Sequence, residues 1–168
     1  MRPGSAGWWS GKLRQARRHL VARVGADERA ALGTWLSPAE LALFDGMHVA
    51  DRRHGLDVVA WLHNDGTTDP EVLVAGLLHD AGKGATGFVP RVAYSLGQAY
   101  GPWLTRAAGG LPGMRESLER LAVHAETSAR LAAAAGCSPR SVELIRHQDD
   151  PAPADLAGQR LHLADEAS

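Results

Sequence analysis

Six residues able to hold a cation or move a proton fall in apolar, helix-patterned surroundings: His54, His79, Asp80, His124, His147 and Asp165. His54 shares a helical face with Met47, Ala50, Val58 and Trp61, which puts its imidazole on the core-facing stripe. His79-Asp80 closes the apolar run Ala75-Gly76-Leu77-Leu78. Adjacent residues on a helix point about 100° apart, but at a helix end the backbone turns, and Gly82 and Gly84 supply that freedom. His124 has Leu121 and Leu131 on its own face, His147 follows Leu144-Ile145, and Asp165 ends the run Leu161-His162-Leu163-Ala164. A buried imidazole or carboxylate is costly unless it is paired or coordinates a metal. The six are therefore either scattered residues, each satisfied locally, or one site inside a helical bundle. Of the other histidines, His48 falls on the Asp51/Arg52 face and is expected to face solvent, and His63 sits at a helix end. His162, three before Asp165, is either a neighbour of the site or a surface residue.

The elements that must carry these residues read as helices nearly throughout. Trp9, Leu13, Ala16, Leu20 and Val24 recur at helical spacing, so a basic amphipathic helix is expected over about Trp8 to Val24. A short helix follows Asp27. Ser37-Pro38-Ala39-Glu40 combines a Ser cap, a Pro at the first helical position and a Glu three after the cap. The helix it opens is expected to reach about His63, with a kink at Gly46. Asp69-Pro70 caps the next, which carries Val72, Leu73, Leu77 and Leu78. Further helices are expected over Phe88–Tyr100, over a long stretch from Met114 to Ala135, from Ser138-Pro139 to near His147, and from Asp155 onward. No segment alternates with period two, so the expected fold is all-α.

Composition narrows the functional classes. The 168 residues fit one domain with a modest extension, and 45% hydrophobic content supports a true core. Eighteen Lys+Arg against nineteen Asp+Glu leave a net charge of −1, so no basic field points to specific nucleic-acid binding. The lone Cys137 excludes an internal disulfide and any Cys-x-x-Cys metal motif. No apolar run is long enough to span a bilayer and no cleavable leader is expected, so a cytoplasmic setting is the expectation. Six Lys/Arg precede the first acidic residue, Asp27, next to the pair Trp8-Trp9. That segment, within residues 1–36, is expected to dock its apolar stripe on the domain of residues 37–168, or else to meet a partner, a second copy or a membrane surface.

The order His54, His79-Asp80, His124, His147, Asp165 resembles the HD-domain superfamily of metal-dependent phosphohydrolases. The likeness includes Leu77-Leu78-His79-Asp80-Ala81-Gly82-Lys83, Arg53-His54 before an apolar helix, and Leu163-Ala164-Asp165, and runs from about Ser37 onward. It implies an HD-type helical bundle with an N-terminal helical extension. It implies further that His54, His79, Asp80 and Asp165 hold one divalent ion, and that His124 and His147 hold a second with Asp80 shared. Fe or Mn fits such donors first, Zn or Ni next, and Ca does not. Two ions about 3.5–4 Å apart generate a hydroxide nucleophile near neutral pH and draw charge from phosphate oxygens. Asp80 would hold that nucleophile. Lys83, by the same likeness, meets a phosphate oxygen, with Arg53 and Arg91 as further phosphate contacts.

The implied activity is hydrolysis of a nucleotide-type phosphoester or phosphoanhydride. Dinucleoside polyphosphates come first among substrates, then nucleoside monophosphates or cyclic dinucleotides. Two departures stand out. His147 is followed by Gln148-Asp149-Asp150 where two-metal relatives often have His-Glu, and no Gly-Tyr-Pro signature is present. Two other classes compete: a regulatory HD module that binds a nucleotide without turning it over, and a di-iron HD-type oxygenase.

Overall fold

The most apolar helix in the chain sets the architecture. In the computed structural model, which describes residues 22–84 and 86–168, Pro70–Leu78 forms a helix whose seven residues Val72 to Leu78 are all buried. A helix that is hydrophobic on every side must be surrounded, and the others are arranged around it. In chain order they are α1 (Ala26–Leu32), α2 (Pro38–Gly46), α3 (Val49–Asn64), the central α4 (Pro70–Leu78), a 3₁₀ turn (Ala81–Lys83), α5 (Phe88–Tyr100), α6 (Pro102–Ala108), α7 (Met114–Ala122), α8 (His124–Ala134), α9 (Pro139–Arg146) and α10 (Leu156–Ala167). The described residues are all-α, with no strand among them. No helix of theirs is long and apolar enough to cross a membrane.

Around α4, helices α3, α9 and α10 pack directly, while α8 packs on α9 and on the 3₁₀ turn. The core joins Phe44, Val58, Leu62, Leu77, Leu78, Leu144, Ile145 and Leu161 in one cluster. Leu32 and Leu36 belong to the same cluster, so residues just before Ser37 are continuous with the domain that follows. Helices α5–α7 form a second layer: Met114, Leu118 and Leu121 of α7 are buried, yet lie outside that cluster. The α3–α4 crossing is close because α3 presents Gly55, where an added Cβ would lie 2.4 Å from the Leu77 carbonyl oxygen.

The helix starts read from caps are where they were expected. Ser37 Oγ accepts from the Glu40 N–H while Glu40 Oε2 accepts from the Ser37 N–H (2.8 Å). Asp69, Ser138 and Asp155 cap α4, α9 and α10 with their side chains.

Two long helices are corrected to pairs. The stretch from Ser37 to His63 breaks after Gly46, and His48 caps α3 by accepting from the Ala50 N–H at 3.2 Å. The stretch from Met114 to Ala135 breaks at Val123 (φ −117, ψ 14), which makes His124 the first residue of its own helix. Helix α6, following Gly101 (φ +115), was not expected. The basic helix expected over about Trp8 to Val24 lies outside the described residues except for 22–24, which are not helical. Val24, the last residue of its apolar stripe, packs against the core; any other docking, dimer or partner role lies outside the described residues.

Candidate metal centre

The α3–α4 crossing brings His54 to His79, with ring centroids 5.2 Å apart. Immediately after His79 the chain leaves α-helical geometry. His79 keeps φ −55, ψ −28, and Asp80 takes φ −97, ψ 6, in the sparsely populated bridge region. That turn lets two neighbouring side chains converge: His79 Nε2 lies 3.4 Å from Asp80 Oδ1. From α10, Asp165 Oδ1 reaches to 3.4 Å from the same Nε2 and accepts a hydrogen bond from His54 Nε2 at 2.7 Å. His124, at the start of α8, brings its Nε2 to 3.9 Å from Asp80 Oδ1. His79 and Asp80 are the floor, 1% and 2% exposed, and Asp165, at 34% side-chain exposure, is the rim.

The imidazoles are oriented through their far nitrogens. His79 Nδ1 donates to the Gly76 carbonyl at 2.9 Å and His124 Nδ1 to the Leu121 carbonyl at 2.7 Å. A carbonyl only accepts, so each Nδ1 carries a proton and each Nε2 is turned toward Asp80. Histidines that ligate metals are held in this way. The floor also contains two buried atoms without a hydrogen-bond partner, His79 Nε2 and Asp80 Oδ1. Buried polar atoms are rarely left so. Their 3.4 Å separation exceeds the roughly 2.7–2.9 Å of a charge-assisted bond, so they do not satisfy each other. Two nitrogens and one carboxylate oxygen, from His54, His79 and Asp80, lie within 4.8 Å of one another. Such a set suits a divalent transition ion.

Charge within the site is balanced by the chain itself. Lys83 Nζ lies 2.6 Å from Asp80 Oδ2. Burial opposes the lysine charge, but Asp80 and Asp165 outweigh it and keep the ammonium protonated. Burial likewise opposes ionisation of Asp80 and is overcome by His79 and Lys83, which hold the carboxyl well below the usual range. For His79, burial is outweighed by Asp80 and Asp165, and its pKa rises from 6.5 to about 9. A folded-state value above the ordinary one means that this proton stabilises the metal-free protein in full below about 6.5, and that the contribution is lost as pH rises through about 9. In chelator, the urea midpoint is therefore expected to fall between pH 7 and pH 9.5. An unchanged midpoint would show that His79 is neutral throughout.

Not every expected residue joins this group. His147 is half-exposed with its Nε2 3.0 Å from Glu143 Oε1, and lines a surface cleft with Arg140, Glu143 and Asp150. Arg53 is engaged by Glu28 at 2.7 Å and Asp57 at 3.0 Å. Arg91, from α5, forks onto Asp51, with Nη2 2.8 Å from Oδ2 and Nη1 on Oδ1. Its Nε donates to the Thr86 carbonyl at 3.0 Å.

Asp51, on a face expected to meet solvent, is buried instead. It is 3% exposed, and its spacing of three from His54 was the available signal. Gln148, which stands out in the sequence only as a departure after His147, is 2% exposed and donates from Nε2 to the His79 carbonyl at 3.1 Å. His48 is exposed, as expected, and His63, near the end of α3, is exposed too. His162 donates from Nδ1 to the Gln148 carbonyl at 2.9 Å.

The Asp51–Arg91 pair ties the α5 layer to α3, and removing one partner strands a buried charge. Arg91→Ala is expected to cost roughly 3–5 kcal/mol in chemical denaturation, with much of the loss recovered in the Asp51→Ala/Arg91→Ala double variant. A single-variant loss below about 1 kcal/mol would mean that water reaches the pair.

Comparison with protein-family models, curated proteins and solved structures gives no match for this chain.

Proposed function

We propose that the chain is a metal-dependent phosphohydrolase of the HD-domain type, acting on a nucleotide-type phosphoester or phosphoanhydride. The observation that carries the reading is the convergence of His54, His79, Asp80 and Asp165 around two buried donor atoms that no protein group satisfies. These four residues would hold a divalent ion, Fe or Mn in first place and Zn or Ni next. A second ion would fall to His124 and His147 with Asp80 shared. His124 already faces Asp80, whereas His147 would have to leave Glu143. When bound, such ions lower the pKa of a water molecule and draw charge from phosphoryl oxygens.

The chain's own groups do the rest. Asp80 sits between the histidines and Lys83, and its fixed charge keeps the ammonium at the edge of the cluster. Lys83, with 22% of its side chain exposed, offers that ammonium to a phosphate oxygen arriving from solvent. Arg91 lies close enough to Asp80 for their charges to interact and would be a second phosphate contact only on loosening its fork onto Asp51. Arg53, held by two carboxylates, is not given that role.

The test has two stages. Protein purified without oxygen is analysed for metal per chain, then loaded with Mn²⁺ or Fe²⁺ and assayed for phosphate release from dinucleoside polyphosphates, nucleoside monophosphates and cyclic dinucleotides. Bound metal with turnover of one class supports the reading. Absence of metal even after reconstitution overturns it. So does oxygen uptake by the iron form without phosphate release. Saturable nucleotide binding without product would make the domain a sensor.

A further inference from the structure

We infer that Gln148, held in place by His162, is a positioning residue of the metal centre that fixes the peptide between His79 and Asp80 so that both side chains serve one ion. The inference rests on the reading of this cluster as a metal site. Successive residues of a regular helix diverge by about 100°, so the use of a His-Asp doublet at one point depends on how the peptide joining them is turned. That turn is set by ψ of His79 and φ of Asp80, −28° and −97°. The plane they define carries the His79 carbonyl oxygen, which accepts the hydrogen bond from Gln148 Nε2 at 3.1 Å.

Three features make this contact a positioning device. The His79 carbonyl belongs to the last turn of α4, where helix carbonyls lack intrahelical donors, so a donor from elsewhere decides its direction. Gln148 is 2% exposed, and an amide buried to that degree is held by its hydrogen bonds. Gln148 is itself fixed: its backbone carbonyl accepts from His162 Nδ1 at 2.9 Å. His162 lies three residues before Asp165 on α10. The helix that supplies the rim carboxylate thus also anchors the group that orients the floor, and Asp165, His79 and Asp80 keep one register.

The probe is Co²⁺ added to the full chain, read by its visible ligand-field absorption and by competition with a chelator at a temperature where each variant is folded. Gln148→Leu is expected to weaken Co²⁺ binding about 10–100-fold and to change the absorption envelope. His162→Phe is expected to act in the same direction. His162→Asn, whose amide can donate from nearly the position of Nδ1, is expected to restore both readouts. If Gln148→Leu does not fold, the two His162 variants carry the comparison. Wild-type affinity and spectrum in folded Gln148→Leu or His162→Phe would overturn the inference. Lowered thermal stability with an unchanged spectrum would overturn it too, because a merely structural residue behaves that way. Absence of Co²⁺ binding by the wild-type chain would overturn the metal reading itself, and this inference with it.

Discussion

Asp80→Asn is expected to reduce bound metal to background and to abolish any metal-dependent phosphate release, while the chain remains helical by circular dichroism. Asparagine keeps the volume, so the packing of the floor survives. What disappears is the charge on which the site turns. Oδ1 faces the Nε2 atoms of His79 and His124 at 3.4 and 3.9 Å, and Oδ2 holds Lys83 at 2.6 Å. A neutral amide presents its carbonyl oxygen or its NH₂ toward the histidines, and neither replaces a carboxylate for a hard or borderline cation. His147→Ala makes the contrast. It removes a half-exposed side chain paired with Glu143 and is expected to leave the ion held by His54, His79, Asp80 and Asp165 in place. Elemental analysis of the two purified variants decides between them. Full metal in Asp80→Asn would remove Asp80 from the ligand set.

A second large effect, on the fold as well as the site, is expected at Gly82. A Cβ there would come within 2.5 Å of the His124 carbonyl oxygen and 2.6 Å of the Ser128 nitrogen, both backbone atoms. Backbone cannot swing aside as a side-chain end can, so the 3₁₀ turn or the start of α8 has to move. The Gly82 N–H also donates to Ser128 Oγ at 2.8 Å, and that bond is lost in any shift. Gly82→Ala is expected to cost about 3 kcal/mol, at the upper end of what overpacking does. Because Gly82 follows Asp80 by two residues and presses on His124, metal affinity should fall with stability. Gly46→Ala is the control: nothing lies within 4 Å of its Cβ position, and the change should be neutral or slightly stabilising. Equal denaturation midpoints for Gly82→Ala and the wild type would show that the turn does not touch α8 so closely.

Local chemistry made the helix starts legible. Ser37-Pro38, Asp69-Pro70, Ser138-Pro139 and Asp155 each announce a cap whose partner lies two or three residues away, and those caps form. Gly46 signalled a kink where the chain in fact breaks, but the break at Val123 was hidden because apolar periodicity runs straight across it, and only packing decides that the chain turns there. The site divides along the same line. His54, His79, Asp80, His124 and Asp165 share a tertiary neighbourhood and stand in sequence on inward faces, so pattern alone could nominate them. What their charged neighbours do depends on partners far along the chain. Arg53 finds Glu28 and Asp51 is buried by Arg91 forty residues on, whereas His147 is held by Glu143 only one helical turn away. Gln148 stands out in the sequence only as a departure after His147, with no sign of what it touches. Its value lies in a single contact to the His79 carbonyl, sixty-nine residues away.

The ionic balance inside the cluster bears on the order of assembly. Many small metal-binding modules are unfolded until their ion arrives, because a cluster of donors cannot be collapsed without it. Here the Lys83 ammonium and a protonated His79 stand against the Asp80 and Asp165 carboxylates, so the cluster closes as a neutral set with no ion present. The polypeptide is thus expected to complete its fold on the ribosome's schedule and to take up metal afterwards, at whatever rate the cell supplies it. An ion then enters against an internal competitor, at the cost of a proton from His79 and a displaced Lys83. That competition favours an exchangeable metal drawn from the available pool over one locked in at synthesis.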